Sequence, residues 1–384
     1  MRAAIARGQV NGVVTLLMRH GRVIRFNAYG DDDPTTGKPL SKDAIFRIFS
    51  MTKPVTAVAM MILYDEGKWR PSDPIAMHLP ELANLKVATG FAADGTPILA
   101  VPRRQPTVGD VMTHSAGFAY GLSRTTPIDR LYADARLFDV PNRATFLHRL
   151  SNLPLAYEPG TAWQYSVGMD IEAAMIERLS GQSLPVFMEN RIFRPLGMVD
   201  TGFFVPPEKM SRLATLYAPA PSTGRLTPFV GAPLGLDATR PPAVANGGGG
   251  LVSTARDYGR FAQMLLDGGQ LSAVRIISPA AARLMMANHL PDSFAGNGYG
   301  IGNFAYVPGT GFAWNGGTYT DPALAGQIVG KGTYFWDGAA GTWFWIDPVN
   351  DIVFVGMIQR LGGPGGPALQ EVTRPLVYQA LRPR

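Results

Sequence analysis

The sequence of 384 residues contains no cysteine. This absence excludes thiolate catalysis, cysteine-ligated zinc and a disulfide framework. The chain has five histidines, and none of them shows the spacing of a metal site: His20, His78, His114, His148 and His289. We therefore expect neither a metal nor another cofactor. A chain of this length buries enough apolar surface to fold without such supports.

The sequence also lacks a long apolar run. The longest run, around Val55 to Leu63, is far shorter than the roughly 20 residues that cross a bilayer. No small-residue cleavage site follows the apolar patch Val13 to Leu17. We therefore predict no membrane span, no signal peptide and a cytoplasmic location. The first residues, Ala3 to Ala6, are typical of the end of a helix, so we also expect that an upstream segment precedes them.

Charge is balanced and scattered, with 35 basic and 29 acidic residues and a formal charge of +6. The densest basic spots, such as Arg103-Arg104, are only two residues long. A nucleic-acid-binding protein gathers its positive charge into a patch or stripe, so we expect no nucleic-acid partner. The hydrophobic fraction of 46% and charged fraction of 17% are typical of a folded globular protein. No feature predicts a particular oligomeric state.

The hydrophobic pattern changes along the chain. Two β-type runs, Gly12 to Leu17 and Arg22 to Tyr29, flank His20-Gly21 and predict a hairpin. Ile45 to Phe49 is a third such run, and further strands are predicted over 299–306, 334–336, 342–346 and 352–358. Helical spacing predicts helices over 52–66, 107–113, 171–179, 183–192, 255–266 and 368–380.

Strands at both ends with helices between them indicate an α/β (α+β) fold. Tight turns between successive strands predict a mainly antiparallel sheet flanked by helices. We expect residues 1–68 and 245–384 to form this discontinuous domain. Residues 69–244 would form an inserted, mainly helical domain, with an active site at the interface between the two.

A Ser-x-x-Lys pattern, Ser50-Met51-Thr52-Lys53, occurs where the β run gives way to the first long helix. Residues three apart on a helix share a face, with about 5–6 Å between their Cβ atoms. The lysine therefore lies beside the hydroxyl, as activation of an alcohol nucleophile requires. A helix N-terminus also favours a developing alkoxide on Ser50. By itself this short pattern is more often a surface pair.

A second chemical group is a tyrosine in a Pro-Gly-bounded loop, Pro159 to Ser166, just before a helix. One reading of Tyr165 is an aromatic wedge that packs under the loop. The functional reading is a phenol that takes the proton of Ser50 and returns it to the leaving group. In that reading, the ammonium of Lys53 would lower the pKa of the phenol.

These motifs together resemble the class C β-lactamases and penicillin-recognising enzymes, in particular the family VIII carboxylesterases. The likeness spans nearly the whole chain, through Ser50–Lys53, Tyr165-Ser166-Val167, Thr107 to Gly117, Arg194 to Phe203 and Gly248 to Thr254. The resemblance implies a β-lactamase-like fold and an acyl-enzyme on Ser50. It further implies that Lys53 and Tyr165 move protons and that backbone N–H groups of Ser50 and Ala339 form the oxyanion hole.

The sequence departs from the β-lactamases at two motifs. Trp336-Asp337-Gly338 stands where they carry Lys-Thr-Gly, similar to the Trp-x-Gly of the esterases, and Val167 stands in place of an asparagine. A β-lactam would lose partners for its carboxylate and amide, and Tyr165 would have one neighbouring cation instead of two. Lys331-Gly332-Thr333 is a weaker substitute motif in the wrong order. Candidate substrate-binding residues are Tyr120, Val167, Trp336 and Gly338.

Competing nucleophile and nucleotide motifs are absent. The sequence has no Gly-x-Ser-x-Gly elbow, and the glycines 247–250 are not followed by the Lys-Ser/Thr of a P-loop. We therefore predict a serine carboxylesterase that hydrolyses small-molecule, short-chain esters, with weak β-lactam hydrolysis at most. Two alternatives remain: a β-lactamase or D-amino-acid peptidase/transpeptidase, and a non-catalytic binding protein on the same scaffold.

Overall fold

The centre of the protein is an eight-stranded antiparallel sheet. The structure is a computed structural model that describes residues 1–232, 235–301, 304–362 and 368–381. In chain order the strands are β1 (Gly12–Arg19), β2 (Arg22–Asp33), β3 (Lys38–Pro39), β4 (Thr310–Ala313), β5 (Gly316–Tyr319), β6 (Tyr334–Asp337), β7 (Trp343–Asp347) and β8 (Ile352–Met357). Their order across the sheet is β4-β5-β6-β7-β8-β1-β2-β3.

The sheet joins the two ends of the chain. Strand β1 pairs antiparallel with β8, from Val14 opposite Met357 to Arg19 opposite Ile352. Strand β1 also pairs with β2 through the predicted turn at His20-Gly21. Both outcomes confirm the prediction of a mainly antiparallel sheet built from the termini. Strands β7 and β8 are buried along their whole length, which means that both faces of the sheet are covered there.

The helices lie mostly between β3 and β4 in the chain, and the predicted helices are all present. They are α1 (Arg2–Ala6), α2 (Thr52–Asp65), α3 (Ile75–His78), α4 (Val108–Met112), α5 (Pro127–Asp134), α6 (Arg143–Ser151), α7 (Gly168–Ser180), α8 (Leu184–Met188), α9 (Arg194–Leu196), α10 (Ala255–Leu266), α11 (Pro279–Met286) and α12 (Leu369–Gln379). A π-helical turn, Glu189–Phe193, links α8 to α9.

Helix α2 is buried along nearly its whole length. Its residues from Thr52 to Leu63 are all buried, as expected for a helix that is apolar on every side. It packs against α7 and α11, whereas α10 covers β1, β7 and β8. Because α2 is held on all sides, the side chains at its N-terminal end are fixed in position. The division at residues 68/69 and 244/245 into two domains stays a prediction.

Two strand predictions differ from the structure, and a hairpin of the main sheet was missed. Only Phe46–Arg47 of the third run forms a strand, and it pairs with Val252–Ser253 outside the main sheet. Within 299–306 the structure has Gly300–Ile301 paired with Phe304–Ala305, while residues 302–303 lie outside the described residues. Strands β4 and β5 form a hairpin whose two loop residues are Trp314 and Asn315. Asn315 has a left-handed φ of 60°, a conformation that asparagine tolerates.

The remaining strands form short separate pairs. They are Val87–Phe91 with Pro97–Ala100, Tyr217–Pro219 with Leu226–Pro228, and Gln270–Leu271 with Val274–Arg275. Over the described ranges, no helix combines the length and apolar character needed to cross a membrane.

Candidate active site

Ser50 lies at the N-terminal end of α2, in the single 3₁₀ turn Phe49–Met51 that leads into the helix. Phe49 precedes it with a φ of 43° and a buried side chain. A bulky residue in the left-handed region is strained, and such strain persists only where the surrounding packing enforces it. Ser50, directly after Phe49, lies in the wall of a cavity of about 740 Å³.

Two proton-carrying groups converge on the hydroxyl of Ser50. Tyr165 donates its phenol O–H to Ser50 Oγ at 2.7 Å, and Lys53 Nζ lies 3.2 Å from the same oxygen. The Lys53 side chain is fully buried, and its Nζ also donates to the Gly248 carbonyl at 2.6 Å. The structure therefore brings together the serine, lysine and tyrosine that the sequence analysis proposed. Ser50 and Tyr165, the most distant of the three in sequence, are 115 residues apart.

The loop that carries Tyr165 is held by His114. The imidazole Nδ1 of His114 lies 3.2 Å from the Ser166 backbone N–H and 2.9 Å from Ser166 Oγ. Its ring centroid is 4.7 Å from that of Tyr165. Burial, together with the positive charge of Lys53, lowers the pKa of His114 well below its ordinary value. His114 is thus a neutral residue that holds the loop through hydrogen bonds. Its backbone has a left-handed φ of 59°, and its side chain is buried.

The electrostatics of the site correct one expectation. Burial raises the pKa of Tyr165 well above its ordinary value, although its contact with Ser50 acts in the opposite direction. Burial lowers the pKa of Lys53 to about 7, and nearby Asp170, Glu172 and Asp337 oppose that effect. The prediction that Lys53 would depress the pKa of Tyr165 is therefore wrong. Desolvation is larger than the opposing effect of the hydrogen bond with Ser50, so near neutral pH the phenol stays protonated while Lys53 titrates.

Three buried polar residues behind Lys53 were missed by the sequence reasoning. Burial raises the pKa of Asp170 to about 6 and that of Glu172 to about 8. Asn315 donates its side-chain amide to Glu172 Oε2 at 2.7 Å and to the Lys53 carbonyl at 3.2 Å. A signal was available: two carboxylates occur within the otherwise apolar first turns of α7, directly after Tyr165.

The cavity in front of Ser50 has a volume of about 740 Å³ and a mainly apolar wall. Tyr120 forms part of that wall and stacks on Tyr165, with 5.4 Å between ring centroids. The residues that line the cavity are Phe49, Ser50, Tyr120, Gly121, Leu122, Arg124, Tyr132, Ala133, Arg136, Leu137, Phe138, Asp139, Tyr165, Gly235, Leu236, Asn246, Gly248, Gly249, Ile301, Trp336, Asp337 and Ala339.

The candidate substrate-binding residues divide into two groups. Tyr120 and Trp336 line the cavity, whereas Val167 and Gly338 do not. Val167 is completely buried before the first turn of α7. A Cβ on Gly338 would lie 2.3 Å from the Ile48 carbonyl, so glycine there permits the close approach of the β6 end to the Ser50 turn. Lys331 is exposed and lies outside the cavity wall.

The two predicted oxyanion donors are the backbone N–H groups of Ser50 and Ala339. Both residues lie next to the close contact between Gly338 and Ile48. Ser50 and Ala339 both line the cavity, and within the described ranges neither backbone N–H donates to a protein acceptor. Free N–H groups beside a nucleophile are what an oxyanion hole requires.

The model of the family described as "Beta-lactamase" matches residues 1–376. The chain belongs to the beta-lactamase family. Among its relatives is an uncharacterized protein of Mycobacterium tuberculosis, which is 37% identical over 92% of this chain and 86% of the relative. Esterase EstB of Burkholderia gladioli is 30% identical over 89% of this chain and 84% of its own length.

A solved structure extends the likeness. EstCE1, described as a hydrolase with promiscuous acyltransferase activity, superimposes with a TM-score of 0.80 and 28% sequence identity. The superposition covers 98% of this chain and 96% of that one. The β-lactamase-like fold and the resemblance to family VIII carboxylesterases are thereby confirmed. This beta-lactamase family member is a serine hydrolase, with relatives that support esterase or acyltransferase activity on small-molecule esters.

Proposed function

We propose that this chain is a carboxylesterase that forms an acyl-enzyme on Ser50. The observation that carries the proposal is the convergence of Tyr165 OH and Lys53 Nζ on Ser50 Oγ at the wall of the large cavity. A serine with two proton-carrying neighbours and a cavity beside it is the arrangement that nucleophilic catalysis requires. Short-chain esters are the simplest substrates for it.

Acylation begins with Lys53 as a neutral amine. With its pKa lowered to about 7, a substantial fraction of Lys53 has a free electron pair at neutral pH. Ser50 then donates its proton to Lys53 Nζ while Oγ bonds to the carbonyl carbon, which becomes tetrahedral. Tyr165 stays a phenol because its pKa is raised, and its O–H stabilises the charge that develops on Oγ.

The next step expels the alcohol. The carbonyl oxygen, now an anion, accepts hydrogen bonds from the N–H groups of Ser50 and Ala339. Collapse of the intermediate breaks the bond to the alkoxide. The alkoxide takes its proton from the Tyr165 phenol, which recovers one from the Lys53 ammonium through the shared hydrogen-bond cluster. Water then repeats the sequence on the acyl-enzyme: its proton passes to Lys53, and Ser50 is regenerated as the acid leaves.

A β-lactamase or peptidase function is the weaker alternative. Trp336 replaces the cation that would bind a β-lactam carboxylate, and it lies in the cavity wall with its ring centroid 5.9 Å from that of Tyr165. The two arginines of the wall are already paired, Arg124 with Asp134 and Arg136 with Asp139. A carboxylate bound there has to compete with these pairs, which favours esters.

Acyl transfer to an alcohol is a second activity that the cavity favours. Its volume of about 740 Å³ lies in the range of pockets that hold drug-sized ligands, roughly 300–1,000 Å³. The space beside Ser50 therefore accommodates an acyl group together with an acceptor alcohol. EstCE1 carries acyltransferase activity in its description, which supports the same proposal.

The test measures turnover of p-nitrophenyl butyrate and of a chromogenic cephalosporin on one preparation, together with mass spectrometry after a fluorophosphonate. We expect ester turnover and one phosphonyl adduct on the peptide that contains Ser50. Added benzyl alcohol should divert part of the acyl group into benzyl butyrate. An adduct elsewhere, or cephalosporin turnover without ester turnover, would overturn the carboxylesterase proposal.

A further inference from the structure

A buried carboxylate lies directly behind the catalytic lysine. Asp170, in the first turn of α7, is only 1% exposed. Its Oδ1 accepts a weak hydrogen bond from the Gly248 N–H at 3.4 Å. Its Oδ2 is buried and has no hydrogen-bond partner within the described ranges. A buried acceptor without a hydrogen-bond partner destabilises the folded protein unless a nearby positive charge compensates it.

Gly248 connects this carboxylate to Lys53. Its carbonyl accepts from Lys53 Nζ at 2.6 Å, while its N–H points to Asp170. A Cβ built on Gly248 would lie 3.1 Å from Asp170 Oδ2, 3.4 Å from Lys53 Nζ and 3.0 Å from the Tyr120 hydroxyl. The carboxylate of Asp170 and the ammonium of Lys53 therefore both face the unfilled side-chain position of Gly248.

We propose that Asp170 is a positioning residue that serves as the counter-ion of Lys53 whenever Lys53 holds the proton taken from Ser50. The inference rests on the proposed role of Lys53 as the base. In a fully buried site an ammonium without a counter-ion is strongly disfavoured, and the proton transfer that forms it slows accordingly. Asp170 reduces this penalty without touching the reacting atoms.

The other groups around Lys53 do not fill this role. Tyr165 and Tyr120 are phenols whose pKa values are raised by burial, and His114 is neutral because burial lowers its pKa. Burial raises the pKa of Glu172 to about 8, so it is mostly protonated at neutral pH. Asp337 contributes least among the three carboxylates that raise the pKa of Lys53.

Asp170 itself is kept ionised by two cations. Burial raises its pKa to about 6, and the guanidinium of Arg143 and the ammonium of Lys53 oppose that rise. Above pH 6 Asp170 is therefore mostly an anion, in the range where Lys53 titrates.

The position of Asp170 separates its effect from substrate binding. It does not line the catalytic cavity but an adjoining, smaller cavity of about 330 Å³, and Phe49 and Asn246 line both. A change at Asp170 should therefore alter kcat and its pH dependence and leave KM nearly unchanged.

The experiment compares the pH dependence of kcat/KM for p-nitrophenyl butyrate in the wild type and in Asp170→Asn. The wild-type profile should rise with pH through an ionisation near 7, because the neutral amine is the active form. Without the carboxylate the pKa of Lys53 falls, so the midpoint should move to lower pH by about one unit. A weaker base should also lower kcat on the plateau by about tenfold, with KM within about twofold.

Two matched variants separate charge from packing. Glu172→Gln removes a carboxyl group two residues away that is mostly protonated at pH 7, so its midpoint should move much less than that of Asp170→Asn. Asp170→Glu keeps the charge and should restore the midpoint. An unchanged midpoint in Asp170→Asn, or an equal shift in Glu172→Gln, would overturn the inference. If the wild type hydrolyses no ester at all, the proposed function fails instead.

A variant that keeps every charge covers the case in which Asp170→Asn does not fold. Gly248→Ala inserts a methyl group between Asp170 Oδ2 and Lys53 Nζ and pushes them apart. Its midpoint should also move to lower pH, by less than in Asp170→Asn. A midpoint that stays in place or moves to higher pH in folded Gly248→Ala would count against Asp170 as counter-ion.

Discussion

The two sides of Ser50 differ in almost every physical respect. Behind it, Lys53, Asp170, Glu172 and Asn315 are buried and almost fully enclosed by α2, α7 and the β4–β5 turn. In front of it, the cavity of about 740 Å³ is lined mainly by apolar and aromatic side chains such as Tyr120 and Phe138. The rear side is dense and charged, whereas the front side is open and apolar.

Because of this difference, we expect the two sides of Ser50 to have separate roles in catalysis. In the dry rear side, burial shifts pKa values strongly and each charge requires a compensating partner. In the front side, an apolar wall binds by area and shape, with few directional contacts. Changes at the rear should therefore act on kcat and its pH dependence, and changes at the front on KM and on the choice of acyl group.

The largest effect is expected at Ser50 itself. Ser50→Ala should lower kcat for p-nitrophenyl butyrate by at least about 10⁴-fold, because in the proposed mechanism Ser50 alone forms the acyl-enzyme. The melting temperature should change little, since one half-buried hydroxyl is lost. Steady-state kinetics and thermal unfolding on the same preparation test both statements. Residual activity above a few per cent would exclude Ser50 as the nucleophile.

The next largest effects test the rear side as a unit. Lys53→Ala and Tyr165→Phe should each lower kcat by roughly 10²–10⁴-fold, the usual contribution of a positioned proton-transfer group. The double variant should be little worse than either single variant, because members of one relay are not additive. A double-mutant cycle with full additivity would mean that the two residues act independently.

The preference between esters and β-lactams tests both sides together. For a short acyl ester, kcat/KM should exceed that for a penicillin or cephalosporin by about 10²-fold or more. The cavity holds Trp336 where a cation would bind the carboxylate, and a buried group without a partner costs about 1–3 kcal/mol. Equal values of kcat/KM on one preparation would contradict the prediction.

The smallest effect is expected on the front wall. The ring of Phe138 contacts that of Tyr120, with 5.9 Å between the two centroids. Phe138→Ala therefore enlarges the cavity beside Tyr120. We expect the ratio of kcat/KM for a p-nitrophenyl octanoate to that for the butyrate to rise by about two- to tenfold. Phe294→Ala, which lies outside this wall, is the control and should leave the ratio unchanged. A fall in the ratio, or the same rise in both variants, would contradict a role of Phe138 in limiting the acyl group.

Much of the fold followed from patterns along the chain. The hairpin at His20-Gly21, helix α2 and strands β6 to β8 were predicted, because their hydrophobic periods and turn residues are local signals. The β4–β5 hairpin was missed because its strands are only four residues long and rich in glycine. The run at Ile45 was shortened because Phe46–Arg47 pairs with a strand of only two residues, Val252–Ser253, and Ile45 forms an isolated bridge to Leu213.

The sequence by itself determined the family and pointed to the candidate reactive groups. Ser50 and Lys53 are three residues apart at the start of a helix, and Tyr165 follows in a recognisable motif. Only the tertiary structure decided their protonation. The pKa of Tyr165 rises and that of Lys53 falls because α2 and the Tyr165 loop are enclosed by distant segments. Asp170 likewise acquires its place behind Lys53 through the peptide of Gly248, which lies 195 residues from the lysine. Burial and long-range contact carry no signal at a single position, so spacing alone could not predict them.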